Sequence, residues 1–447
     1  MTSVNFPEGF VWGVATSAYQ IEGGSKEGGK GESIWDRFTH TRGTISDGST
    51  GDAACDHYHR WPEDVTLMKE LGIGAYRLSL SWARLLPDGW GRTAPAGIDF
   101  YSRLVDGLLR AGIEPYVTLY HWDLPQALQD KGGWPARDTA KAFMEYADLA
   151  SRHLGDRVKH WMTLNEPYVS ALAGHLEGRH APGHTDIDEA LAAAHHLLLG
   201  HGLAVPAIRD NCSDAQLGIV LNLGPQMAAS PSEADQAAAR MADGIHNRWF
   251  LDPLASRGYP EDIVHHNGHP MGFASSSDMK TIAAPLDFLG VNYYSRRIVR
   301  SEEVDEADNE TPTVLQGPEA TEMGWEVYPE GLFDILTRVH TDYDFPALYV
   351  TENGAAYEDK ISPDGEIHDP KRVDFLRSHL TQAALATQTG VPLKGYFAWS
   401  FMDNFEWAHG YTKRFGLVYV DYETLERIPK ASAAWYSRVI GTNSVID

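Results

Sequence analysis

Two segments, WMTLNEP at positions 161–167 and LYVTENG at positions 348–354, indicate how this chain folds. In each one an apolar run leads into a glutamate, Glu166 or Glu352, and the residues that follow include proline or glycine, which interrupt regular structure. Short apolar runs bounded in this way predict buried strands that give way to loops. The two glutamates are therefore expected at the carboxyl ends of two different strands.

Each segment also has a purely structural interpretation. Asn165 can cap a helix whose first turn contains Pro167, and Asn353 with Gly354 can form a tight turn. A pair of glutamates at separate strand ends favours chemistry instead, because hydrolysis of a glycosidic bond uses one carboxyl group as a proton donor and a second as a nucleophile or base. We therefore predict that Glu166 and Glu352 are a catalytic pair.

Strand-like and helix-like patterns alternate along the whole chain, which is typical of an α/β protein with a parallel sheet. Predicted strands cover residues 10–15, 75–80, 115–119, 160–164, 217–221, 288–292, 347–351 and 395–399. Helical stripes lie at 99–112 and 138–155, and a further helix is predicted to begin at Pro62. Because no linker divides the chain, we predict a single (β/α)8 TIM barrel over residues 1–447, with elaborated loops after its strands.

Composition and charge exclude several classes of function. Hydrophobic residues make up 43% of the 447 residues, which is an ordinary globular composition. The net charge of −25 repels polyanions, so we expect no nucleic-acid partner. The first residues lack the pattern of a secretory signal, and no run of about 18 apolar residues suggests a membrane span. With only two cysteines, Cys55 and Cys212, a cytoplasmic location is predicted.

Neither a metal ion nor an organic cofactor is predicted. The segment GSKEGGKG at 24–31 departs from a phosphate-binding loop, because Gly31 stands where a serine or threonine hydroxyl would bind Mg²⁺. Twenty histidines are present, but none shows the His-Glu-x-x-His spacing of a zinc site. We interpret these histidines as core or surface residues.

Polar and aromatic residues gather at the predicted strand ends, which a barrel brings to one mouth. A hexose has apolar C–H faces and polar edges, so its site needs aromatic surface beside hydrogen-bonding groups. The residues that fit this description are Gln20, His121, Trp122, Asn165, Trp399, Glu406 and Trp407. Arg77 is expected at the same mouth, where its charge favours an ionised nucleophile, although an ordinary buried ion pair would explain it equally.

These motifs together resemble family 1 of the glycoside hydrolases, the β-glucosidase family. The similarity runs from FVWGVATSAYQIEG at 10–23 to RFGLVYVD at 414–421, and so covers nearly the whole chain. The resemblance implies a (β/α)8 barrel and a retaining double displacement, with Glu352 as the nucleophile and Glu166 as the general acid and then base. The residues alone leave an inverting mechanism open, since the outcome depends on the separation of the carboxyl groups.

The resemblance also implies roles for the other residues of the site. Tyr294 is implied as the partner of the nucleophile, and Asn292, Arg77 and Phe415 as supporting residues. The sugar being transferred would be bound by Gln20, His121, Asn165, Trp399, Glu406 and Trp407. Trp325 is implied under the leaving group, and Tyr168, which stands where the family commonly has tryptophan, is expected in the wall beside it.

The predicted activity is therefore that of a retaining β-glucosidase. It would remove non-reducing-end β-D-glucosyl residues from cello-oligosaccharides and other β-glucosides, with β-galactosides, β-fucosides and transglycosylation left open, and would serve cellulose degradation. A small β-glucoside is the expected partner, and the subunit count is open, including a homo-oligomer.

Two alternatives remain at this point. A 6-phospho-β-glycosidase is expected to carry Ser, Lys and Tyr where this chain has Glu406, Lys413 and Phe415, and only Lys413 agrees. A carboxylate at Glu406 would repel a phosphate while accepting hydrogen bonds from free hydroxyl groups. A catalytically silent sugar-binding barrel would normally have lost one of the two glutamates.

Overall fold

Eight parallel strands form a closed barrel in the computed structural model, which describes residues 4–268, 271–302 and 317–446. In chain order they are β1 (Val11–Ala15), β2 (Ala75–Ser79), β3 (Glu114–Tyr120), β4 (His160–Asn165), β5 (Gln216–Asn222), β6 (Phe288–Asn292), β7 (Leu348–Asn353) and β8 (Leu393–Trp399). The eight predicted strands differ from these bounds only at their ends. The predicted (β/α)8 barrel is confirmed.

Each strand pairs with the next one along the chain, and β8 closes the barrel on β1 by pairing Trp399 with Ala15. Since all strands run in the same direction, their carboxyl ends meet at one mouth. The interior is filled by a buried cluster of side chains from seven strands: Ala15, Ala75, Tyr116, Met162, Val220, Phe288 and Phe397. The barrel is therefore a packed core on which the mouth is built.

Helices surround the barrel. The longer ones are His57–Glu70, Pro95–Ala111, Arg137–Leu154, Ile187–Asn211, Glu233–Asp243, Glu330–Asp342, Pro370–Gln388 and Ala431–Thr442. Shorter helices are Ala18–Ile21, Ile34–Thr39, Trp82–Leu85, Gln126–Gln129, Trp249–Leu254, Glu261–Asn267 and Ser276–Ile282, with single turns at Val169–Ala173, Gly244–Arg248 and Trp407–His409.

Two predicted helix starts are wrong, and the first belongs to the stripe at 99–112, whose helix begins at Pro95 and contains Asp99. The helix expected to begin at Pro62 begins at His57 and carries the proline inside it. The N–H group of Tyr58 donates a hydrogen bond to the carbonyl of Glu22, so contact with the loop after β1 holds an additional turn that local sequence does not indicate. Tertiary packing here outweighs the preference of proline for a first turn.

Among the residues that the structure describes, three short strand pairs lie outside the barrel: Val4–Asn5 with Ser444–Val445, Val418–Val420 with Arg427–Pro429, and Gln226–Ala228 with Arg297–Val299. The third pair follows the carboxyl ends of β5 and β6, and we call it the mouth ribbon. Its two strands are parallel, with Gln226 opposite Arg297. The mouth ribbon therefore extends the wall of the barrel mouth outward.

One helix in the described part of the chain, Ile187–Asn211, is long and apolar enough to cross a membrane by length and composition. The sequence expectation that no such stretch exists is wrong in this respect. The helix packs against Arg137–Leu154, and 83% of its apolar window is buried inside the fold. Its apolar character is that of a core helix.

Candidate active site

The barrel mouth opens into a cavity of about 450 Å³, a size suited to a small sugar ligand. Most of the predicted site residues line it: His121, Trp122, Glu166, Tyr168, Asn292, Tyr294, Trp325, Glu352, Trp399, Glu406, Trp407 and Phe415. The three others, Gln20, Arg77 and Asn165, lie behind this surface and hydrogen-bond to residues that line it. All fifteen predicted residues thus line the cavity or hydrogen-bond to residues that line it.

Glu352 is buried near the end of β7, where its surroundings favour a negative charge. Arg77 Nη1 donates to Glu352 Oε1 at 2.5 Å, and Tyr294 Oη donates to Oε2 at 2.7 Å. Burial, together with the charge of Glu352, raises the pKa of Tyr294 well above its usual value, so the phenol keeps its proton. Both carboxylate oxygens therefore accept hydrogen bonds from firm donors, one of them cationic.

Glu166 directly follows β4 and meets a different environment. Asn292 Nδ2 donates to Glu166 Oε1 at 2.6 Å, and this amide carries no charge. Burial, and then the charge of Glu352, raise the pKa of Glu166 to about 8. The carboxyl group is therefore protonated at neutral pH, as a general acid must be.

The backbone at Glu166 is unusual, with φ at 48° in the left-handed region. A hydrogen bond from its N–H to the Val220 carbonyl and one from the Val169 N–H to its own carbonyl, both 2.9 Å, hold this conformation. Non-glycine residues seldom adopt such angles, and they persist where the surroundings fix them, often at functional sites. The side chain of Glu166 is thus aimed by its backbone.

Two asparagines connect the glutamates. Asn165 Oδ1 accepts from Arg77 Nη2 at 2.7 Å and from Asn292 Nδ2 at 3.0 Å. Since Arg77 also bonds Glu352 and Asn292 also bonds Glu166, a continuous hydrogen-bond chain joins the two carboxyl groups. Such a shared network fixes their relative position.

A second pair of polar side chains lies at the floor of the cavity. Gln20 Nε2 lies 3.4 Å from Glu406 Oε2 and donates to Asn404 Oδ1 and the Phe405 carbonyl, both at 2.9 Å. Burial, with the charge of Glu352 adding to it, raises the pKa of Glu406 to about 8. An amide and a carboxyl group side by side can bind neighbouring hydroxyl groups of a sugar.

His121 is neutral, because burial holds its pKa well below the usual value. Asn165 Nδ2 lies 3.1 Å from His121 Nε2 and donates to it, which leaves the proton on Nδ1. The His121 ring stacks between two indoles, with ring centroids 5.8 Å from Trp399 and 5.9 Å from Trp407. Trp122 is 4.5 Å from Trp407 and completes an aromatic surface for the apolar face of a sugar.

A buried ion cluster supports this floor, and no local sequence pattern indicates it. Asp403 Oδ1 accepts from Lys430 Nζ at 2.7 Å and from the Gly416 N–H at 2.9 Å, and Arg414 donates to Asp403 Oδ2 at 2.6 Å. Lys430 also bonds Asp359 at 2.6 Å. The cluster therefore ties the segment that carries Glu406 to the segment that carries Phe415.

The outer part of the cavity has two aromatic groups. Trp325 lies 5.2 Å from Tyr294 and 6.2 Å from Phe415 by ring centroids, and Tyr168 meets His246 edge to face at 4.5 Å. Sequence reasoning missed other lining residues here: Asn222, Gln226, His246 and Arg297. Asn222 ends β5 and could have been found by the strand-end rule, whereas the others depend on how the loops fold back.

Comparison with known proteins agrees with this geometry. A family model described as "Glycosyl hydrolase family 1" matches residues 2–445. The chain is 49% identical to "Beta-glucosidase A" of Acetivibrio thermocellus, covering 99% of this chain and 100% of that protein. It is 44% identical to a "Bifunctional beta-D-glucosidase/beta-D-fucosidase" of Bifidobacterium breve, covering 98% and 99%.

Solved structures give the same result. The fold matches the family 1 β-glucosidase from Thermotoga maritima with a TM-score of 0.95 at 49% identity, over 100% of both chains. It also matches that enzyme in complex with isofagomine lactam, with a TM-score of 0.94 at 49% identity, over 99% of this chain and 100% of the other.

Proposed function

The chain belongs to glycosyl hydrolase family 1 and is a glycosidase, and from this premise we propose that it is a retaining β-glucosidase with Glu352 as nucleophile and Glu166 as acid/base. One observation carries the assignment of roles. Glu352 is hydrogen-bonded by the Arg77 guanidinium and the Tyr294 hydroxyl, whereas Glu166 bonds the neutral amide of Asn292 and has a pKa raised to about 8. The first accepts hydrogen bonds from two firm donors, one of them cationic, and the second holds a proton.

In the first step Glu352 attacks the anomeric carbon while Glu166 gives its proton to the departing oxygen, which leaves a covalent glycosyl-enzyme. The ester has no charge, so one cause of the raised pKa of Glu166 disappears. Glu166 is then suited to accept a proton from the incoming water, which attacks the same carbon and releases Glu352. The change in charge of one glutamate thus prepares the other for its second role.

We assign the transferred sugar to the floor of the cavity. Gln20, His121, Asn165 and Glu406 supply hydrogen-bonding groups for hydroxyls, and Trp122, Trp399, Trp407 and Phe415 supply apolar surface. The enzyme would remove non-reducing-end β-D-glucosyl residues from cello-oligosaccharides and other β-glucosides. This activity would serve cellulose degradation. The name of the Bifidobacterium breve relative supports β-fucosides as further substrates.

Trp325 and Tyr168 are assigned to the leaving group, and a sugar bound there in place of water would give transglycosylation.

We propose that residues 1–447 act as one catalytic domain. Two carboxyl groups perform both steps, so the proposed mechanism uses no cofactor. We also propose a cytoplasmic location, supported by two cysteines, Cys55 and Cys212, that are buried and free.

The function is tested by comparing turnover of p-nitrophenyl β-glucoside, β-galactoside, β-fucoside and β-glucoside 6-phosphate, with NMR detection of the first sugar product. We expect β-glucose to appear before the α-anomer, and kcat/KM for the free glucoside to exceed that for its phosphate by about 100-fold, because the buried carboxyl group of Glu406 offers a phosphate no positive charge and would repel it when ionised. A preference for the phosphate would overturn the role of Glu406. Early α-glucose would indicate inversion, and no turnover at all would favour a silent sugar-binding barrel.

The aglycone assignment predicts that Trp325→Ala lowers kcat/KM for cellobiose by about 3- to 10-fold, the range for one lost aromatic contact. Inhibition by free glucose should change less than twofold, because glucose occupies the floor. Tyr168 belongs to the other aromatic group of the outer cavity, so Tyr168→Ala should alter the order of kcat/KM among substrates with aryl and sugar leaving groups. Equal losses across all leaving groups would count against placing these residues beside the aglycone.

A further inference from the structure

The mouth ribbon brings two polar side chains to the leaving-group end of the cavity. Gln226 and Arg297 are opposite each other in its parallel pairing, and both line the cavity. Burial, and then the charge of Arg297, lower the pKa of His246 to about 4. The charge of Arg297 also opposes the rise that burial causes in the pKa of the Tyr168 hydroxyl. Arg297, Tyr168 and His246 all line the cavity, in the wall assigned to the aglycone.

The Arg297 guanidinium and Gln226 Oε1 have no hydrogen-bond partner within the described part of the chain. Arg297 is exposed and forms no ion pair or hydrogen bond through its side chain with any described residue. The other lining arginines are compensated, since both oxygens of Glu326 accept from Arg296 at 2.9 Å and Glu177 pairs with Arg179. Gln226 donates to the Gly224 carbonyl at 3.1 Å, but its buried Oε1 accepts no hydrogen bond from any described residue.

The charge of the surrounding wall makes this arginine selective. Among the described residues that line the cavity, the carboxyl groups are Glu166, Glu352 and Glu406, which all belong to the catalytic floor. No lining carboxylate of the described residues is therefore available to neutralise Arg297 at the outer end. The positive charge of Arg297 is therefore a local exception in a chain whose net charge is −25.

We propose that the mouth ribbon is a leaving-group subsite in which Arg297 selects aglycones that carry a carboxylate. The substrate class is β-glucosides of hydroxylated aromatic acids, whose ring can pack beside Tyr168. A guanidinium recognises a carboxylate through paired N–H donors, which a neutral amide cannot match. This inference rests on the proposed β-glucosidase function.

The test compares kcat/KM for 3- and 4-carboxyphenyl β-glucosides with kcat/KM for the corresponding carboxamides. The measured quantity is the ratio of acid to amide, so any loss common to both substrates cancels. We expect Arg297→Gln to lower this ratio by about 3- to 10-fold at low ionic strength, the range for a partly exposed charge-assisted contact. Added salt should lower the wild-type ratio in the same direction.

Arg103→Gln is the matched control, because Arg103 is an exposed arginine on the outer helix Pro95–Ala111 that pairs with Asp99. It removes the same charge from the protein and should leave the ratio unchanged. Gln226→Glu is a second variant. It places a carboxylate opposite Arg297, which would neutralise the guanidinium and lower the acid-to-amide ratio of kcat/KM. An unchanged ratio in Arg297→Gln, or an equal fall in Arg103→Gln, would overturn the proposal.

The activity of the wild-type protein distinguishes failure of the proposed function from failure of the carboxylate subsite. If wild-type protein does not hydrolyse p-nitrophenyl β-glucoside, the proposed function itself is wrong. If it hydrolyses that substrate but the acid-to-amide ratio does not respond to Arg297→Gln, the function stands and the carboxylate subsite is wrong.

Discussion

Glu352→Gly is expected to lose more than about 10⁴-fold in turnover of p-nitrophenyl β-glucoside, because no group remains to form the covalent intermediate. Added azide should restore part of the activity, since the missing side chain leaves room for a small anion beneath the anomeric carbon. Azide then attacks from the side that Glu352 occupied, and the product is α-glucosyl azide. Mass spectrometry and NMR of this product identify both the nucleophile and its side of attack.

Glu352→Gln is the control for this experiment. The amide keeps the volume of the side chain but is a very poor nucleophile, so the loss of turnover should be similar. Azide should not rescue it, because the amide fills the space that azide needs. A Glu352→Gly variant as active as wild type, or one that forms β-glucosyl azide, would sink the assignment of Glu352 as nucleophile.

The environments of the two glutamates differ in the way that their proposed roles require. Arg77 and Tyr294 donate to the two oxygens of Glu352, which stabilises its anion, while Glu166 is desolvated and lies near that anion. Burial and a neighbouring like charge both favour the protonated form of an acid. Asn165 and Asn292 fix the relative position of the two carboxyl groups through hydrogen bonds. The different environments of the two glutamates are therefore a property of the whole network.

Sequence predicted the part of this site that depends on strand ends. Glu166, Glu352 and Asn292 each occur where an apolar run stops, and a closed parallel barrel necessarily brings such positions to one mouth. Gln20 and Glu406 do not end strands, but they follow β1 and β8 closely enough for barrel geometry to bring them to the same mouth, and the resemblance added their sugar-binding role. Their contact at 3.4 Å is visible only in the folded structure.

Other features could not be predicted because they depend on long-range packing. The cluster of Asp403, Lys430 and Arg414 joins segments whose charges, in the sequence alone, would be expected at the surface. The mouth ribbon pairs two three-residue strands that follow different barrel strands, and such short runs carry no periodic signal. Helix His57–Glu70 likewise starts upstream of Pro62 because of contacts with the loop after β1.

Glu166→Gln is expected to reduce kcat/KM for cellobiose by about 10²- to 10⁴-fold, the usual contribution of a general acid. The loss should be far smaller for formation of the glycosyl-enzyme from 2,4-dinitrophenyl β-glucoside, because its leaving group departs without protonation. Breakdown of that intermediate should be slow, since no base activates water, and rapid-mixing measurements should show a burst of dinitrophenolate. Azide should accelerate breakdown and yield β-glucosyl azide, the opposite anomer to the product of Glu352→Gly.

The pH profile provides an independent check on the same residue. Because the folded pKa of Glu166 is raised to about 8, its proton is present below that pH and is lost as pH rises through it. Wild-type kcat/KM for cellobiose should therefore fall above about pH 8, and Glu166→Gln should lack this alkaline limb. Glu406 has a pKa raised to a similar value, so Glu406→Gln separates the two groups by retaining the limb. If the limb persists in Glu166→Gln and disappears in Glu406→Gln, the proton that governs turnover belongs to the sugar-binding carboxyl group and the acid/base assignment of Glu166 is wrong.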